Sequence, residues 1–489
     1  MITIKPIHKY DCDVLIAGGG PAGSALAFHL AKKGLKIIVA EAEQFPRDKI
    51  CGDGVSPIAL AELDAMGINK WKKFSLANEI SKVGLFIKDD KVFIDLSKPE
   101  HLPFHARIIP RIELDNWIYE TAKKAGASYL ENIRLINYTV TESGVVAQVK
   151  QHLTTKKIKA KVIVGADGSN SVVARQMQGG KHADEFQLLG LRAYYENIKG
   201  PTDRVDIYFT GESFPGIFWL FPKGATGANI GMACISSTLP NKPVNVKNQL
   251  ADHLKNNADI KERIGNGKPG GKIDGWILKF FNPQSILTGN RILLVGDAAG
   301  LINPLSGDGI QYALLSARWA SETLYKCFKQ DDFSATALFN YRKKVDKELG
   351  YDFALSNLLV QFARNKTLTP VWMKILSVMI SRAKEDKEYA DIIAGIFAGN
   401  YPSQKALNAN FILKSLFQGG KEIASRTIID FVNNPMSIIE NGLTLSQTTL
   451  QLMEDIKNHP KQQGGWIMNT AGKTIAVAGH VIKDITRKN

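Results

Sequence analysis

The sequence predicts an α/β fold that contains a Rossmann-type unit for a dinucleotide and ends in a helical region. The first observation is a strand, a glycine-rich turn, a helix and a second strand ending in an acid, all within residues 13–41. The second is a pair of later strands, residues 161–164 and 291–295, each followed by an aspartate beside a glycine. The third is the helical pattern of residues 331–489.

The first element is the turn after the strand of residues 13–17. It consists of Gly18, Gly19, Gly20, Pro21, Ala22 and Gly23. Gly18 permits the tight bend, Gly20 lets a pyrophosphate approach the backbone, and Gly23 lets helix and strand pack closely. The helix of residues 24–33 would present free N–H groups to the phosphates. The next strand, residues 36–40, delivers Glu41, which is placed to accept hydrogen bonds from a ribose diol.

The later elements favour FAD over NAD as the dinucleotide. Asp167-Gly168 follows the strand at 161–164, and Gly296-Asp297 follows the strand at 291–295. An aspartate at such a strand end suits a second ribose or pyrophosphate contact, although each pair alone would be an ordinary turn. The stretch at 303–309, Asn-Pro-Leu-Ser-Gly-Asp-Gly, then opens a helix at Ile310. Its N-terminus would stabilise negative charge on a reduced flavin ring.

Composition excludes a disordered or fibrous protein. The 489 residues are 44% apolar and 22% charged, which is close to the globular average, and their number predicts two to four domains or one large domain with insertions. The 62 Lys and Arg exceed the 47 Asp and Glu, giving a net charge of +15. This excess indicates nucleic acid, an anionic membrane or a phosphorylated substrate as partner, or only a basic surface that favours solubility. Because no helix-turn-helix, zinc-finger or RNP signature is found, nucleic acid is not predicted.

The cysteines and the apolar segments indicate the compartment. Cys12, Cys51, Cys234 and Cys327 are far apart and form no CxxC, so we expect neither a disulfide framework nor a metal site. A reducing, cytoplasmic setting fits best. We find no signal peptide, and no apolar run reaches the roughly 18 residues that a membrane span needs. Any membrane contact would therefore be peripheral, on the cytoplasmic face.

In these residues the chain resembles flavoproteins with a p-hydroxybenzoate-hydroxylase-type fold and, within them, the geranylgeranyl reductase family. The wider resemblance depends on the turn at 18–23 with Glu41, on the two aspartate turns and on the stretch at 303–309. The narrower one depends on Phe-Pro-Arg-Asp-Lys-Ile-Cys-Gly-Asp-Gly at 45–54, Arg-Ile-Glu-Leu-Asp at 111–115 and Phe-Trp-Leu-Phe-Pro at 218–222. Together they span about residues 11–330.

The resemblance implies a Rossmann-type FAD domain with an inserted antiparallel β-sheet substrate domain and a helical C-terminal region. The FAD domain would comprise residues 1–80, 105–185 and 280–330, the sheet domain 81–104 and 186–279, and the helical region 331–489. Local patterns agree, because residues 82–97 and 190–235 alternate apolar and polar side chains as antiparallel strands do. Residues 111–126 are typical of a helix and 133–164 of strands, whereas Asn266–Lys272 is typical of a loop rather than a second dinucleotide site.

The resemblance also implies the site residues. The implied FAD contacts are Gly18, Gly20, Pro21, Ala22, Gly23, Glu41, Arg47, Cys51, Gly52, Arg111, Asp167, Gly168, Gly296, Asp297, Pro304, Gly307, Asp308, Gly309 and Ile310. Cys51 would position a double bond or donate a proton, or else be a small apolar filler. Asp53 would be a second polar catalytic group, or else a structural turn residue. Trp219, Phe221 and Pro222 would line an apolar substrate cavity, or else belong to the core of the sheet.

The activity implied is that of an FAD-dependent oxidoreductase that reduces C=C bonds of a prenyl or other long apolar substrate, which a diphosphate or a lipid would carry. No second GxGxxG follows a strand, so NAD(P)H or another reduced carrier would dock transiently to reduce the flavin. One alternative is a flavin monooxygenase on the same fold, acting on an aromatic or carrier-bound substrate. Halogenation is less favoured, since Ile217 and Phe221 interrupt the Trp-x-Trp-x-Ile-Pro pattern of halogenases. Another alternative is a flavin-binding protein without catalysis.

The C-terminal third has helical segments whose role the sequence leaves open. They include residues 371–380, 411–417 and 466–485. In the last of these, Gly472, Ala476 and Gly479 form a stripe of small residues, which predicts close packing against another helix; a groove for a lipid tail is the alternative. The region would cap the substrate cavity or rest on a membrane. The oligomeric state is not predicted.

Overall fold

The computed structural model describes residues 9–87, 90–98, 102, 105–180, 186–211, 215–225, 227–238, 246–399, 401 and 445–488 of the chain. It contains a parallel sheet with helices, a second and mostly antiparallel sheet, a small three-stranded sheet and a set of C-terminal helices. The α/β fold predicted from the sequence is confirmed. The predicted domain boundaries stay predictions.

The strands, numbered along the chain, are β1 (Cys12–Ala17), β2 (Ile37–Ala40), β3 (Gly54–Val55), β4 (Asn78–Ile80), β5 (Lys82–Ile87), β6 (Asp90–Asp95), β7 (Ala106–Ile108), β8 (Ser128–Leu130), β9 (Arg134–Val140), β10 (Val145–Gln151), β11 (Thr154–Gly165), β12 (Gln187–Glu196), β13 (Arg204–Phe209), β14 (Ile217–Pro222), β15 (Gly227–Ile235), β16 (Lys268–Pro269), β17 (Asp274–Lys279), β18 (Thr288–Gly289) and β19 (Ile292–Leu294). The α-helices are α1 (Pro21–Ala31), α2 (Pro57–Ala65), α3 (Lys72–Leu76), α4 (Arg111–Lys124), α5 (Val172–Gln178), α6 (Val246–Asn256), α7 (Ala258–Ile264), α8 (Ile310–Gln330), α9 (Ala335–Ala363), α10 (Thr369–Glu385), α11 (Lys387–Phe397), α12 (Leu445–Asn458) and α13 (Pro460–Lys488).

The parallel sheet brings the predicted nucleotide-binding turns to one edge. Its strands run in the order β18-β19-β11-β1-β2-β8, with β1 parallel to both β11 and β2, and β19 parallel to β11. Ala17, the last residue of β1, pairs with Ala40 of β2 and Gly165 of β11. The residues that follow these strands therefore leave the sheet at the same edge, which is where ligands of open α/β sheets bind.

Apolar packing fixes the helices on this sheet. The strands β1 and β2 and the part of β11 that pairs with β1, residues 160–165, are mostly buried, as expected for parallel strands covered on both faces. Helix α1 buries most of its residues between the sheet and the helices α4 and α8. Helix α1 follows the buried strand β1 after a short turn and is itself mostly buried. These constraints fix the position of α1 on the sheet.

The second sheet has the order β16-β12-β15-β14-β13-β5-β6, with β17 also paired to β12. It is antiparallel except where β5 pairs in parallel with β13, since β5 comes from an earlier segment of the chain. The segment 266–272, predicted as a loop, contains the short strand β16, which pairs with the end of β12. Helices α10 and α11 cover one face of this sheet, where Ile380 and Ile393 join Leu85 and Ile207 in a buried cluster.

The described parts of the C-terminal region are helical, as the pattern predicted, but no described residue packs against the small-residue stripe. No described atom lies within 4 Å of a Cβ built at Gly472 or Gly479, and Ala476 is exposed, so the predicted close packing is not found among the described residues. Helix α13 instead approaches α9 at Gly350, where a built Cβ would lie 2.7 Å from the His480 ring. The segment 411–417 lies outside the described residues. Among the described helices, none is long and apolar enough to span a bilayer.

Candidate active site

The glycine-rich turn forms a cradle at the edge of the parallel sheet. Gly18 has a φ of +95°, and a Cβ built there would lie 2.4 Å from the Ala166 carbonyl oxygen. A Cβ at Gly23 would lie 1.9 Å from the Gly18 carbonyl oxygen. Gly20 precedes α1 without a side-chain cap, so the first N–H groups of the helix are free for a phosphate. Only glycine fits at positions 18 and 23.

Glu41 is held beside this cradle in a fixed orientation. Its carboxylate accepts hydrogen bonds from the backbone N–H of Gly19, at 2.6 Å, and of Glu43, at 3.0 Å. The Arg47 guanidinium lies 3.7 Å from the same carboxylate. A buried acid fixed by backbone donors can present its remaining lone pairs to a ribose diol.

The two later aspartates lie at the same edge. Asp167 accepts a hydrogen bond from the Val172 N–H at 2.7 Å through Oδ2, while its buried Oδ1 has no partner among the described residues. Burial raises the pKa of the Asp167 carboxyl. Asp297 lies 3.2 Å from the Lys49 ammonium, which with Arg47 places positive charge where a pyrophosphate would lie.

Helix α8 begins at the same cavity. Gly309 precedes it without a side-chain cap, and Gly307 has a φ of +70°, which favours glycine. Burial raises the pKa of Asp308 to about 6, although the N–H groups of Gln311 and its two preceding residues lower it. Pro304 and Ile310 also line the cavity at this end.

A buried group of three charges forms the wall between the cradle and the substrate sheet. Arg111 donates two hydrogen bonds to Asp115, at 2.6 and 2.8 Å, and Arg47 donates a third at 3.0 Å. Burial alone would raise the pKa of Asp115, but the two guanidinium groups hold it below its usual value. The group carries one net positive charge, and both arginines line the cavity.

Cys51 and Asp53 lie on opposite sides of the loop that precedes β3. Cys51 lines the cavity, and burial raises the pKa of its thiol, so the thiol holds its proton. Asp53 is fully buried with a φ of +64° and is not part of the cavity wall. Its Oδ2 accepts hydrogen bonds from the Tyr194 hydroxyl and the Asn229 amide, both at 2.8 Å. This burial and these hydrogen bonds are those expected of a structural turn residue, and a catalytic role of Asp53 stays a prediction.

The predicted substrate residues also differ in whether they line the cavity. Trp219 and Phe221 line the cavity, and a Cβ built at Gly52 would lie 3.3 Å from the Phe221 ring. Pro222 is buried and lies outside the cavity wall, because side chains alternate along β14; its carbonyl accepts a hydrogen bond from Asn78 at 2.7 Å. The assignment of Pro222 as a substrate-lining residue stays a prediction.

A single cavity of about 1480 Å³ joins these parts. From the cradle it passes Arg111 and Cys51 and continues between the second sheet and the C-terminal helices. That far part, called the apolar arm below, is lined by residues such as Phe209, Ile217, Phe362, Trp372, Met379 and Phe397. Pockets for one ligand are commonly about 300–1,000 Å³, so this cavity has room for a dinucleotide and a second, apolar ligand.

Residues 11–330 match the family model described as FAD binding domain. The chain belongs to this FAD binding domain family. Of the FAD contacts implied by the sequence, only Gly23 and Gly296 lie outside the cavity wall. Both pack beneath it: a Cβ built at Gly296 would lie 2.8 Å from the Ala22 side chain. Their assignment as direct FAD contacts stays a prediction.

Relatives of this FAD-binding protein place it more narrowly. Menaquinone reductase of Mycolicibacterium smegmatis is 30% identical over 320 residues, which are 64% of this chain and 76% of that protein. Geranylgeranyl diphosphate reductase of Rhodobacter capsulatus is 32% identical over 325 residues, 64% of this chain and 74% of that protein. A solved structure described as geranylgeranyl bacteriochlorophyll reductase-like, from Thermoplasma acidophilum, aligns with a TM-score of 0.64 at 22% identity, covering 86% of this chain and 98% of that one. The chain is an FAD-dependent oxidoreductase of the geranylgeranyl reductase type, as the resemblance predicted.

The residues of this FAD-binding protein fit its cofactor. The uncapped start of α1 and the cations Arg47 and Lys49 suit the pyrophosphate, and the fixed Glu41 suits a ribose. The unpartnered Oδ1 of Asp167 is an acceptor still lacking a donor, which a bound ligand can supply.

Sequence reasoning missed the residue that ties the site together. Asn229 of β15 is fully buried; its amide donates to the Cys51 carbonyl at 2.7 Å and to Asp53, and it accepts from the Trp219 indole N–H at 2.9 Å. It thereby joins the cysteine loop to the substrate sheet of the oxidoreductase. The available signal was an asparagine in the middle of an otherwise apolar strand, because a buried amide needs partners.

Proposed function

We propose that this FAD-dependent oxidoreductase reduces C=C bonds in a prenyl or other long apolar chain. The observation that carries the proposal is the continuity of the cavity, since the apolar arm begins at Cys51, Trp219 and Phe221 beside the flavin-binding residues. The names of the two relatives, one a menaquinone reductase and one a geranylgeranyl diphosphate reductase, support a prenyl substrate.

FAD, once reduced, supplies the hydride for such a reaction. The protein's own part is to orient the double bond, exclude water and provide a proton. Trp219 is fixed by its hydrogen bond to Asn229, so its ring and that of Phe221 offer a rigid apolar surface against which an alkene can lie. Cys51 holds a proton at Sγ in the cavity wall, and it is our candidate for the proton source.

A polar head group would remain near the opening of the apolar arm. Lys374 of α10 lines the cavity and is exposed, so its ammonium can meet an anionic head group such as a diphosphate or a phospholipid. The net charge of +15 further supports contact with an anionic membrane that holds such substrates. We infer that NAD(P)H or another reduced carrier docks transiently as the electron donor.

The test is an anaerobic turnover assay. The purified protein is loaded with FAD, reduced with dithionite and mixed with geranylgeranyl diphosphate or a menaquinone, and products are identified by mass spectrometry. We expect product heavier by two hydrogens per reduced C=C bond without oxygen, measured after the reaction is quenched and the menaquinol that dithionite itself produces is reoxidised in air, and none when the protein is omitted. Hydroxylated product that forms only with oxygen would refute the proposal in favour of a monooxygenase.

A further inference from the structure

The terminal helix α13 has two faces with different surroundings. One face packs on α9, where the Trp466 indole donates to the Gln361 carbonyl at 2.9 Å. The same side of the helix contributes Thr474 and Val477 to the wall of the cavity. Helix α13 therefore closes part of the space proposed for the prenyl chain.

The other face is exposed and uncharged. Between residues 463 and 480 the exposed positions are Gly465, Met468, Asn469, Ala471, Gly472, Ile475, Ala476 and Ala478. Met468 is 77% exposed and Ile475 is 72% exposed. The outer face of a helix on a globular protein usually carries charged and polar side chains. A face with one asparagine and no charge is typical of a surface that contacts another apolar body.

Exposed apolar residues also border the cavity that α13 helps to close. Leu305, Ile375 and Val378 line the cavity, yet they are 42%, 40% and 36% exposed. The rim of the apolar arm thus combines these apolar side chains with the ammonium of Lys374. A prenyl chain that enters across these apolar side chains comes more directly from an apolar phase than from water.

The charge of α13 indicates that this apolar phase is an anionic lipid bilayer. Residues 460–488 contain five basic residues, Lys461, Lys473, Lys483, Arg487 and Lys488, and one acid, Asp484. A helix that combines an apolar face with basic residues lies in the interface of an anionic bilayer, with its apolar side among the acyl chains. A second copy of the chain fits less well, because both partners would carry the same excess of positive charge.

We propose that the exposed face of α13 docks on the surface of an anionic lipid bilayer, so that a prenyl chain passes from the bilayer into the apolar arm without crossing water. The proposal rests on the proposed function for the identity of the passing chain. Docking itself depends only on Met468, Ile475 and the charge of the helix.

The experiment compares vesicle binding and turnover of the FAD-loaded full-length protein. The variant Met468→Glu/Ile475→Glu removes the two exposed apolar side chains, neither of which lines the cavity. The matched control Leu76→Glu/Leu153→Glu makes the same change at positions 73% and 96% exposed elsewhere. Flotation uses phosphatidylcholine vesicles with and without phosphatidylglycerol, at low and high salt. Turnover is measured on menaquinone in vesicles and on menaquinone in detergent.

We expect the wild type and the control to float with anionic vesicles, and less at high salt. The α13 variant loses at least tenfold in vesicle partition and in turnover of vesicle-held substrate, and it keeps its turnover in detergent. Equal flotation of both variants, or no flotation of the wild type, overturns the proposal. A wild-type dimer that becomes a monomer in the α13 variant overturns it in favour of a second copy. Absence of turnover in detergent as well as in vesicles counts against the proposed function, while flotation still decides the docking surface.

Discussion

Replacing Asp53 by asparagine changes how the free energy of unfolding depends on pH. The size of this change follows from the raised pKa of the buried carboxyl. Burial raises the pKa of the Asp53 carboxyl from 3.8 to about 6, although the hydrogen bonds from Asn229 and Tyr194 oppose the shift. The folded state therefore binds this proton more tightly than the unfolded chain does. The resulting stabilisation is complete below about pH 4 and is lost as the pH rises through 6. Between pH 5 and pH 7.5 the loss amounts to about 1.4 kcal/mol in the free energy of unfolding.

The assay is urea unfolding of the wild type and of Asp53→Asn at these two pH values. We expect the stability difference between variant and wild type to move by about 1.4 kcal/mol in favour of the variant on going from pH 5 to pH 7.5. Asp331→Asn is the matched control, because Asp331 is exposed and has a similar left-handed φ of +49°. If Asp53→Asn and Asp331→Asn show the same pH dependence, the reasoning about the buried carboxyl is wrong.

Three further predictions concern the cofactor, the loop and the apolar arm. Gly18→Ala places a Cβ against the Ala166 carbonyl, so we expect at least a hundredfold weaker FAD binding by flavin fluorescence; Gly126→Ala, at a φ of +108° with no described atom within 4 Å, should leave it unchanged. Asn229→Leu leaves the Cys51 carbonyl and the Trp219 N–H without partners, which lowers the free energy of unfolding by about 3 kcal/mol. The loosened loop would be detected as faster alkylation of Cys51 by iodoacetamide. Met379→Trp fills part of the apolar arm, so turnover of a twenty-carbon prenyl chain should fall more than that of a ten-carbon one, and an equal fall would contradict this placement.

The cofactor site was predictable because its determinants are local. Each turn follows directly on its own strand, so the order of strand, glycine turn and acid already specifies which groups reach the edge of the sheet. Parallel pairing of β1 with β2 and β11 then brings Gly18, Glu41 and Asp167 together without further information. The roles of Gly23 and Gly296 stay predictions, because a glycine pattern does not distinguish contact with a ligand from close backbone packing.

The substrate side depended on contacts between distant segments. Asn229 meets Asp53 across 176 positions of sequence, and nothing near either residue indicates the other. Whether Cys51, Asp53 or Pro222 faces the cavity is set by the direction of one loop and one strand, which alternation alone does not fix. The orientation of α13 also depends on a distant segment. Its small residues allow close packing, but the close contact is made by Gly350 of α9 with His480 of α13.

The discontinuous parallel sheet has a consequence for biosynthesis. Strand β1 pairs with β11, whose paired residues lie about 150 positions later, and β11 in turn pairs with β19, which ends at Leu294. As the chain emerges from the ribosome, Gly18 and Glu41 appear early, but Asp297 and the start of α8 complete the cradle only after more than half of the protein has been made. Until residues 292–294 have been made, the edge of β11 that pairs with β19 stays open for pairing with other strands. We therefore expect the flavin to bind only after the chain has been made past Ile310, and not to the first 41 residues alone.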